Sequence, residues 1–334
     1  PGSYSKTEEV IELAKIAAQF GGVYDTHMRD ESSYSIGLLG SIKETIRIGR
    51  EAKIPVHISH IKALGTDVWG QSAEVIEIIN RARAEGVDVT ANQYPYTASG
   101  TSLSASLLPR WAEVGGRQEL LKRIDDPPTR QRLITDLEAN LKRRGGANSL
   151  LIVSASDQTL AGKRLDAIAK ERRKAPVEAA LEIIRQGGAG VASFNINEKD
   201  IENFMKQAWV MTGSDGGRSG HPRGFGTYPR KIREYVFNRK IISLPRMIHS
   251  SSLQVAGVFK IPDRGKVCEG FFADVIVFDE KTIADRATYE KPEALAGGMK
   301  YVIVNGKIAV GDGKYTGELA GRALRASSLE PRSK

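Results

Sequence analysis

The sequence predicts an α/β protein organised around a parallel sheet, with a small β layer toward its C-terminal end. First, helix-spaced apolar residues, a Gly or Pro break, an apolar strand and a polar strand end recur three times before residue 93. Second, the 334 residues are 40% hydrophobic and only 7% aromatic, enough apolar material for a sizeable core. Third, Asn305-Gly306 stands between two alternating apolar runs, which is the signal of a β-hairpin.

The elements follow in order. Thr7 with Glu8 and Glu9 marks a helix start, and Val10, Leu13, Ala14, Ala17 and Ala18 keep helical spacing until Gly21-Gly22. A strand at 23–27 ends in His27. Ile42, Ile46 and Ile48 then mark a helix to Ala52, and a strand at 54–60 ends in His60. Val75, Ile78, Ile79 and Ala82 begin a third round that closes on a strand at 87–92. Between about Ser102 and Gln207 the rhythm loosens into charged helical segments, as an inserted or elaborated region would. Asp125-Asp126-Pro127-Pro128 and Arg144-Gly145-Gly146 read there as loops, and 150–153 and 190–194 as strands. A strand at 209–212 runs into Gly213-Ser214-Asp215-Gly216-Gly217, and from Gly270 onward Phe271, 275–278 and 301–310 read as β.

Composition excludes several classes. No run of eighteen apolar residues occurs and mean hydropathy is −0.31, so no membrane span is expected. No basic segment followed by an apolar one opens the chain, so no secretory signal is expected either. Cys268 is the single cysteine and cannot form an internal disulfide, which points to a reducing, cytoplasmic setting. The net charge of +9 and pI near 9.5 permit an anionic partner without selecting one. The stretch from Arg218 to Lys240, rich in base and aromatics, is the best nucleic-acid candidate. It stands on no recognisable binding module, so it reads as a solvated loop and helix. Walker, GxGxxG and GxSxG motifs are absent.

Two of the five histidines, His27 and His60, close consecutive βα units 33 residues apart. At the carboxyl ends of barrel strands such side chains converge on one face, where neutral imidazoles suit Zn²⁺; the alternative is a pair of hydrogen-bonded structural histidines. His57, three residues before His60, falls on the opposite face by pleat alternation and is expected against a helix. Asp215, flanked by glycines after an apolar strand, suits a general acid/base or, alternatively, a turn cap. Lys62, Tyr94, Tyr96 and Arg110 follow the second and third strands. An ammonium, a phenol and a guanidinium together can bind a carboxylate, and singly they read as solvated side chains.

Taken in order, Pro1-Gly2-Ser3-Tyr4, Thr26-His27-Met28-Arg29, Ile58-Ser59-His60-Ile61-Lys62, Tyr94-Pro95-Tyr96-Thr97, Gly213-Ser214-Asp215-Gly216 and Arg264-Gly265 through Phe272-Ala273-Asp274 resemble the N-acyl-D-amino-acid deacylases (D-aminoacylases) of the amidohydrolase superfamily. The resemblance runs to about Arg325. It implies a (β/α)8 TIM-type barrel with a small β-sandwich, and zinc-dependent hydrolysis of the amide bond of N-acyl-D-amino acids. By motif, it implies that His27 and His60 are the zinc ligands of strands 5 and 6, Asp215 the acid/base of strand 8, and Lys62, Tyr94 and Arg110 the holders of the substrate carboxylate.

One departure accompanies these matches. Members of that family carry an HxH pair and a zinc-binding Cys before the point where this sequence starts, and no HxH occurs here. The expectation is therefore a C-terminal portion of a deacylase, with barrel strands 5–8 in residues 1–269, an elaboration at about 102–207, a β-sandwich part at 270–325 and a flexible tail at 326–334. The alternatives are a cyclic amidohydrolase of the hydantoinase or dihydropyrimidinase kind and a non-catalytic binding protein of the same fold. The expected partner is a small N-acyl-D-amino acid, with neither nucleic acid nor membrane.

Overall fold

The computed structural model describes residues 4–217 and 220–324. Pro1, Gly2 and Ser3 of the opening string, Arg218 and Ser219 of the basic stretch, and 325–334, including the expected tail, lie outside the described residues.

Helix α1 (Thr7–Gln19) begins where Glu8 and Glu9 face the positive end of its dipole, and Gly21 and Gly22 close it by donating to Ala18 O and Ala17 O. Then come β1 (Tyr24–Thr26), α2 (Gly37–Ala52), β2 (Val56–Ile58), α3 (Ser72–Ala84) and β3 (Val89–Gln93). The chain next leaves the sheet through β4 (Ala98–Ser102), α4 (Leu103–Leu107), α5 (Arg110–Glu113), α6 (Gly116–Asp125), α7 (Pro127–Arg143), β5 (Leu150–Ala155), α8 (Leu165–Glu171), α9 (Pro176–Arg185) and β6 (Ala189–Phe194). It returns along α10 (Glu198–Met205) into β7 (Val210–Thr212).

The strands β1-β2-β3-β7 form a parallel sheet in that order, with Tyr24, Val56 and Val89 in register at one end. Helices cover one face. Val56, Ile58, Val89, Ala91 and Val210 bury themselves there against Ile42, Ile46, Val75 and Ile79. Each large aliphatic side chain sealed in this way stabilises the fold by about 1.5–3 kcal/mol. Helix α2 approaches so closely that a Cβ on Gly49 would lie 2.7 Å from Val56 Cγ1. Only a glycine fits.

The segment between β3 and β7 has its own antiparallel sheet, in the order β4-β6-β5, and its own core around Leu107, Leu133, Ile152, Leu165 and Ile183. Two expectations are corrected there. The strand β4 was not expected, because Ala-Ser-Gly-Thr-Ser carries no apolar alternation; its pairing with β6 creates it. Asp125-Asp126-Pro127-Pro128 is not a loop. Asp126 caps α7 by accepting from Thr129 N (3.1 Å), and the prolines occupy the first helical positions, where a missing N–H costs nothing.

After β7 come α11 (Arg223–Arg230), a π-helical stretch (Lys231–Asn238), α12 (Leu244–Ser251) and α13 (Leu253–Val258). The C-terminal layer is β8 (Val275–Phe278), β9 (Met299–Val304), β10 (Lys307–Gly311) and β11 (Lys314–Tyr315), an antiparallel sheet ordered β11-β10-β9-β8. Asn305 and Gly306 form its expected hairpin turn, both at positive φ (50° and 79°). Phe271, expected in a strand, instead closes a turn by donating its N–H to Cys268 O. Among the described residues no helix is long and apolar enough to cross a membrane.

Candidate active site

Strands β1 and β2 are adjacent and parallel, so residues just past their carboxyl ends become neighbours. His27 follows β1 directly. His60 lies two residues beyond β2 at φ 41°, and Asn92 Oδ1 accepts its backbone N–H (2.8 Å), holding the turn to β3. His27 Nδ1 and His60 Nε2 consequently stand 2.9 Å apart, with the ring planes inclined at 68°. Partial desolvation lowers the His27 pKa, which favours the neutral imidazole that offers a lone pair.

Glu31, four residues after His27 and 8% exposed, is a member of the site that sequence reasoning missed. Its Oε1 lies 3.0 Å from His60 Nδ1 and 2.5 Å from Lys62 Nζ. Burial opposes ionisation of this carboxyl, but Lys62 and His60 outweigh it and hold the pKa well below the usual carboxylate range. Lys62 Nζ also lies 2.7 Å from His60 Nδ1, and that nitrogen cannot both accept from Lys62 and donate to Glu31. With the proton on Nδ1 it is donated to Glu31, and the Nε2 lone pair faces His27. His27, Glu31 and His60 together bring three possible metal-ligand atoms within 4.8 Å of one another.

Lys62 is not a solvated side chain: it is 6% exposed and donates to Glu31 and to His60 O (2.8 Å). Tyr94 is buried with Lys62 on its ring at 5.8 Å and Arg223 at 4.7 Å. Its hydroxyl makes no hydrogen bond of good geometry among the described residues, and burial pushes its pKa up. Tyr96 is likewise buried, with Arg230 over its ring at 4.9 Å.

Asp215 sits at φ 45° in the loop after β7, with its side chain 34% exposed and Oδ2 2.8 Å from Arg223 Nη1. Gly213, two residues before it, leaves room for the Asn92 side chain, since a Cβ there would lie 2.6 Å from Asn92 Oδ1. Asn92 thus lies against the loop carrying Asp215 while accepting the backbone N–H of His60. Arg110 opens α5 at the protein surface, and its Nη2 donates to Arg29 O at 3.4 Å. His27, His60, Lys62, Tyr94, Arg110 and Asp215 all line one cavity of about 350 Å³, together with Glu31 and Arg223. That size suits a small polar ligand.

Two further expectations are corrected. His57 does not pack into the helical layer, which its neighbours Val56 and Ile58 face. It points to the other side of the sheet, 2.9 Å from Thr90 Oγ1 and 2.8 Å from Asn92 Nδ2, edge-on to Phe259. The basic stretch is not a solvated charge run. Arg223 pairs with Asp215, Arg230 reaches Pro95 O and Asp285, Lys231 donates to Thr212 Oγ1, Arg233 donates to Ile283 O, and Arg239 binds Glu198 and Glu202.

The profile of the Amidohydrolase family matches residues 120–310. The curated D-aminoacylase of Alcaligenes xylosoxydans xylosoxydans is 32% identical over 327 residues, covering 97% of this chain and 59% of that relative. A crystal structure of a D-aminoacylase superposes with a TM-score of 0.77 at 33% identity, over 97% of this chain and 61% of that one. The N-acyl-D-glutamate deacylase of Bordetella bronchiseptica, solved with zinc and a phosphonate mimic of the tetrahedral intermediate, superposes with a TM-score of 0.75 at 27% identity, over 92% and 57%. This chain thus spans between 57% and 61% of the length of these relatives. Its fold class is that of their barrels, with four parallel strands among the described residues. The chain belongs to the amidohydrolase family, and within it resembles the D-aminoacylases.

Proposed function

We propose that this chain contributes to zinc-dependent hydrolysis of the amide bond of N-acyl-D-amino acids, yielding a D-amino acid and a carboxylate. The observation that carries this reading is the approach of His27 Nδ1 to His60 Nε2 at 2.9 Å in the same cavity as Asp215. The donor chemistry suits zinc: one imidazole is favoured in its neutral form, and the other is backed by a buried carboxylate, Glu31. Zinc held by His27 and His60 would supply a Lewis acid for the acyl carbonyl and a water of lowered pKa.

The remaining steps belong to the side chains. Oδ2 of Asp215 is held by Arg223, which leaves Oδ1 as the oxygen to take a proton from the attacking water. The same carboxyl then returns that proton to the departing amine nitrogen, so one group serves as base and then as acid. The substrate carboxylate is met by the cationic wall of Lys62, Arg110 and Arg223, and the Tyr94 hydroxyl offers it a donor. Glu31 keeps His60 and Lys62 in place without touching substrate.

Incubating the complete gene product with N-acetyl-D- and N-acetyl-L-amino acids tests the reading. Amine release from the D-series alone, abolished by chelation and restored by zinc, is expected. Chelator-resistant release, or release from the L-series, would reject it.

A further inference from the structure

His221 takes no part in the chemistry proposed above, yet it is 2% exposed and both of its ring nitrogens are engaged. Nε2 lies 3.0 Å from Ala98 O on β4, and Nδ1 accepts the backbone N–H of Arg223 at 3.1 Å. Only the neutral tautomer with its proton on Nε2 satisfies both partners. Burial, with Arg223 nearby, pushes the imidazole pKa down to about 3, which keeps that tautomer at any working pH. The ring meets Tyr96, Tyr289 and Tyr94 edge-on, at centroid distances of 5.3, 5.2 and 6.3 Å.

Arg223 is thereby seated from several sides. Its N–H goes to His221, and Thr227 Oγ1 donates to its carbonyl at 2.7 Å. Its guanidinium lies over Tyr94, and a Cβ on Gly100 would come within 3.3 Å of its Nη2 and 3.4 Å of His221 Cδ2. The bare backbone of β4 is thus the floor on which both side chains rest.

We propose that His221 is a positioning residue that aims the Arg223 guanidinium at Asp215 and at the substrate carboxylate. The inference rests on the roles given above to Arg223 and Asp215. A residue that only fills the core would contribute equally whether or not position 223 carried a guanidinium.

The test uses three variants in the complete protein. His221→Phe keeps the ring and loses both hydrogen bonds. His221→Gln can still reach Ala98 O and moves the acceptor away from Arg223, and His221→Asn keeps an acceptor near the place of Nδ1. For hydrolysis of an N-acetyl-D-amino acid, kcat/KM is expected to fall at least tenfold in His221→Phe and His221→Gln and to stay within about threefold of wild type in His221→Asn. In an Arg223→Ala background, His221→Phe and His221→Gln are expected to lower it less than twofold further. An equal loss in both backgrounds overturns the proposal. If His221→Phe fails to fold, the contrast between Gln and Asn decides. If wild type hydrolyses no N-acyl-D-amino acid, the functional reading fails, and crystal structures of the variants still decide the positioning claim. Loss of the Arg223–Asp215 contact in the Phe or Gln variant supports it, and retention of that contact overturns it.

Discussion

Glu31 shows how much a single buried charge can organise. Its carboxylate holds the ammonium of Lys62 and the imidazole of His60 in a space that water scarcely reaches. Glu31→Gln preserves the shape and leaves the Lys62 cation buried without a counter-charge, so stability should fall by about 3 kcal/mol, read as a lower denaturant midpoint. The pH dependence has a definite sign. A carboxyl whose pKa is depressed in the fold adds stability that is complete above its ordinary value of 4.5 and is lost as pH falls below it. Wild type should therefore weaken more steeply than Glu31→Gln between about pH 5 and pH 3. Asp215→Asn should lower kcat at least a hundredfold, the loss of a general acid/base, with zinc content unchanged. At this scale the convergence of His27, His60 and Asp215 on one cavity was legible because each stands just past a strand of the parallel sheet. Glu31 was not, since an acid in a loop is ordinary and its burial arises from contacts across β1 and β2. Arg223 reads as part of a basic run because a string of letters carries charge and not exposure.

Among the elements, local pattern succeeded where it agreed with tertiary pairing. The three helices before residue 93 and the Asn305-Gly306 hairpin follow their own periodicity and turn chemistry. The strand β4 exists through its ladder with β6, and Phe271 has an apolar side chain without a strand partner. The loop after β7 owes its course to a contact that sequence cannot display, the close approach of Gly213 to Asn92. Gly213→Ala should force Asn92 aside and cost about 1–3 kcal/mol, the usual range for overpacking. In an Asn92→Ala background most of that cost should vanish, which chemical denaturation of the four proteins of the cycle would reveal. Equal cost in both backgrounds would place the strain elsewhere.

For the whole molecule, the parallel sheet sets two imidazoles and the Asp215 carboxylate at its carboxyl ends, and the segment between β3 and β7 brings Arg110 to the same cavity. The basic stretch places its cations in ion pairs with Asp215, Asp285, Glu198 and Glu202, so a run of base in the sequence is a poor guide to partners. The βα rhythm made the parallel sheet legible, whereas the separate core between β3 and β7 was not, because its members come from several short helices and two strands whose packing together no local pattern displays. The central claim is that His27 and His60 hold zinc beside Asp215. Anomalous scattering at the zinc edge from zinc-loaded crystals of the complete protein tests it most directly. A peak about 2.0–2.1 Å from a nitrogen of each imidazole is the result expected. A zinc peak bound away from both histidines would contradict it.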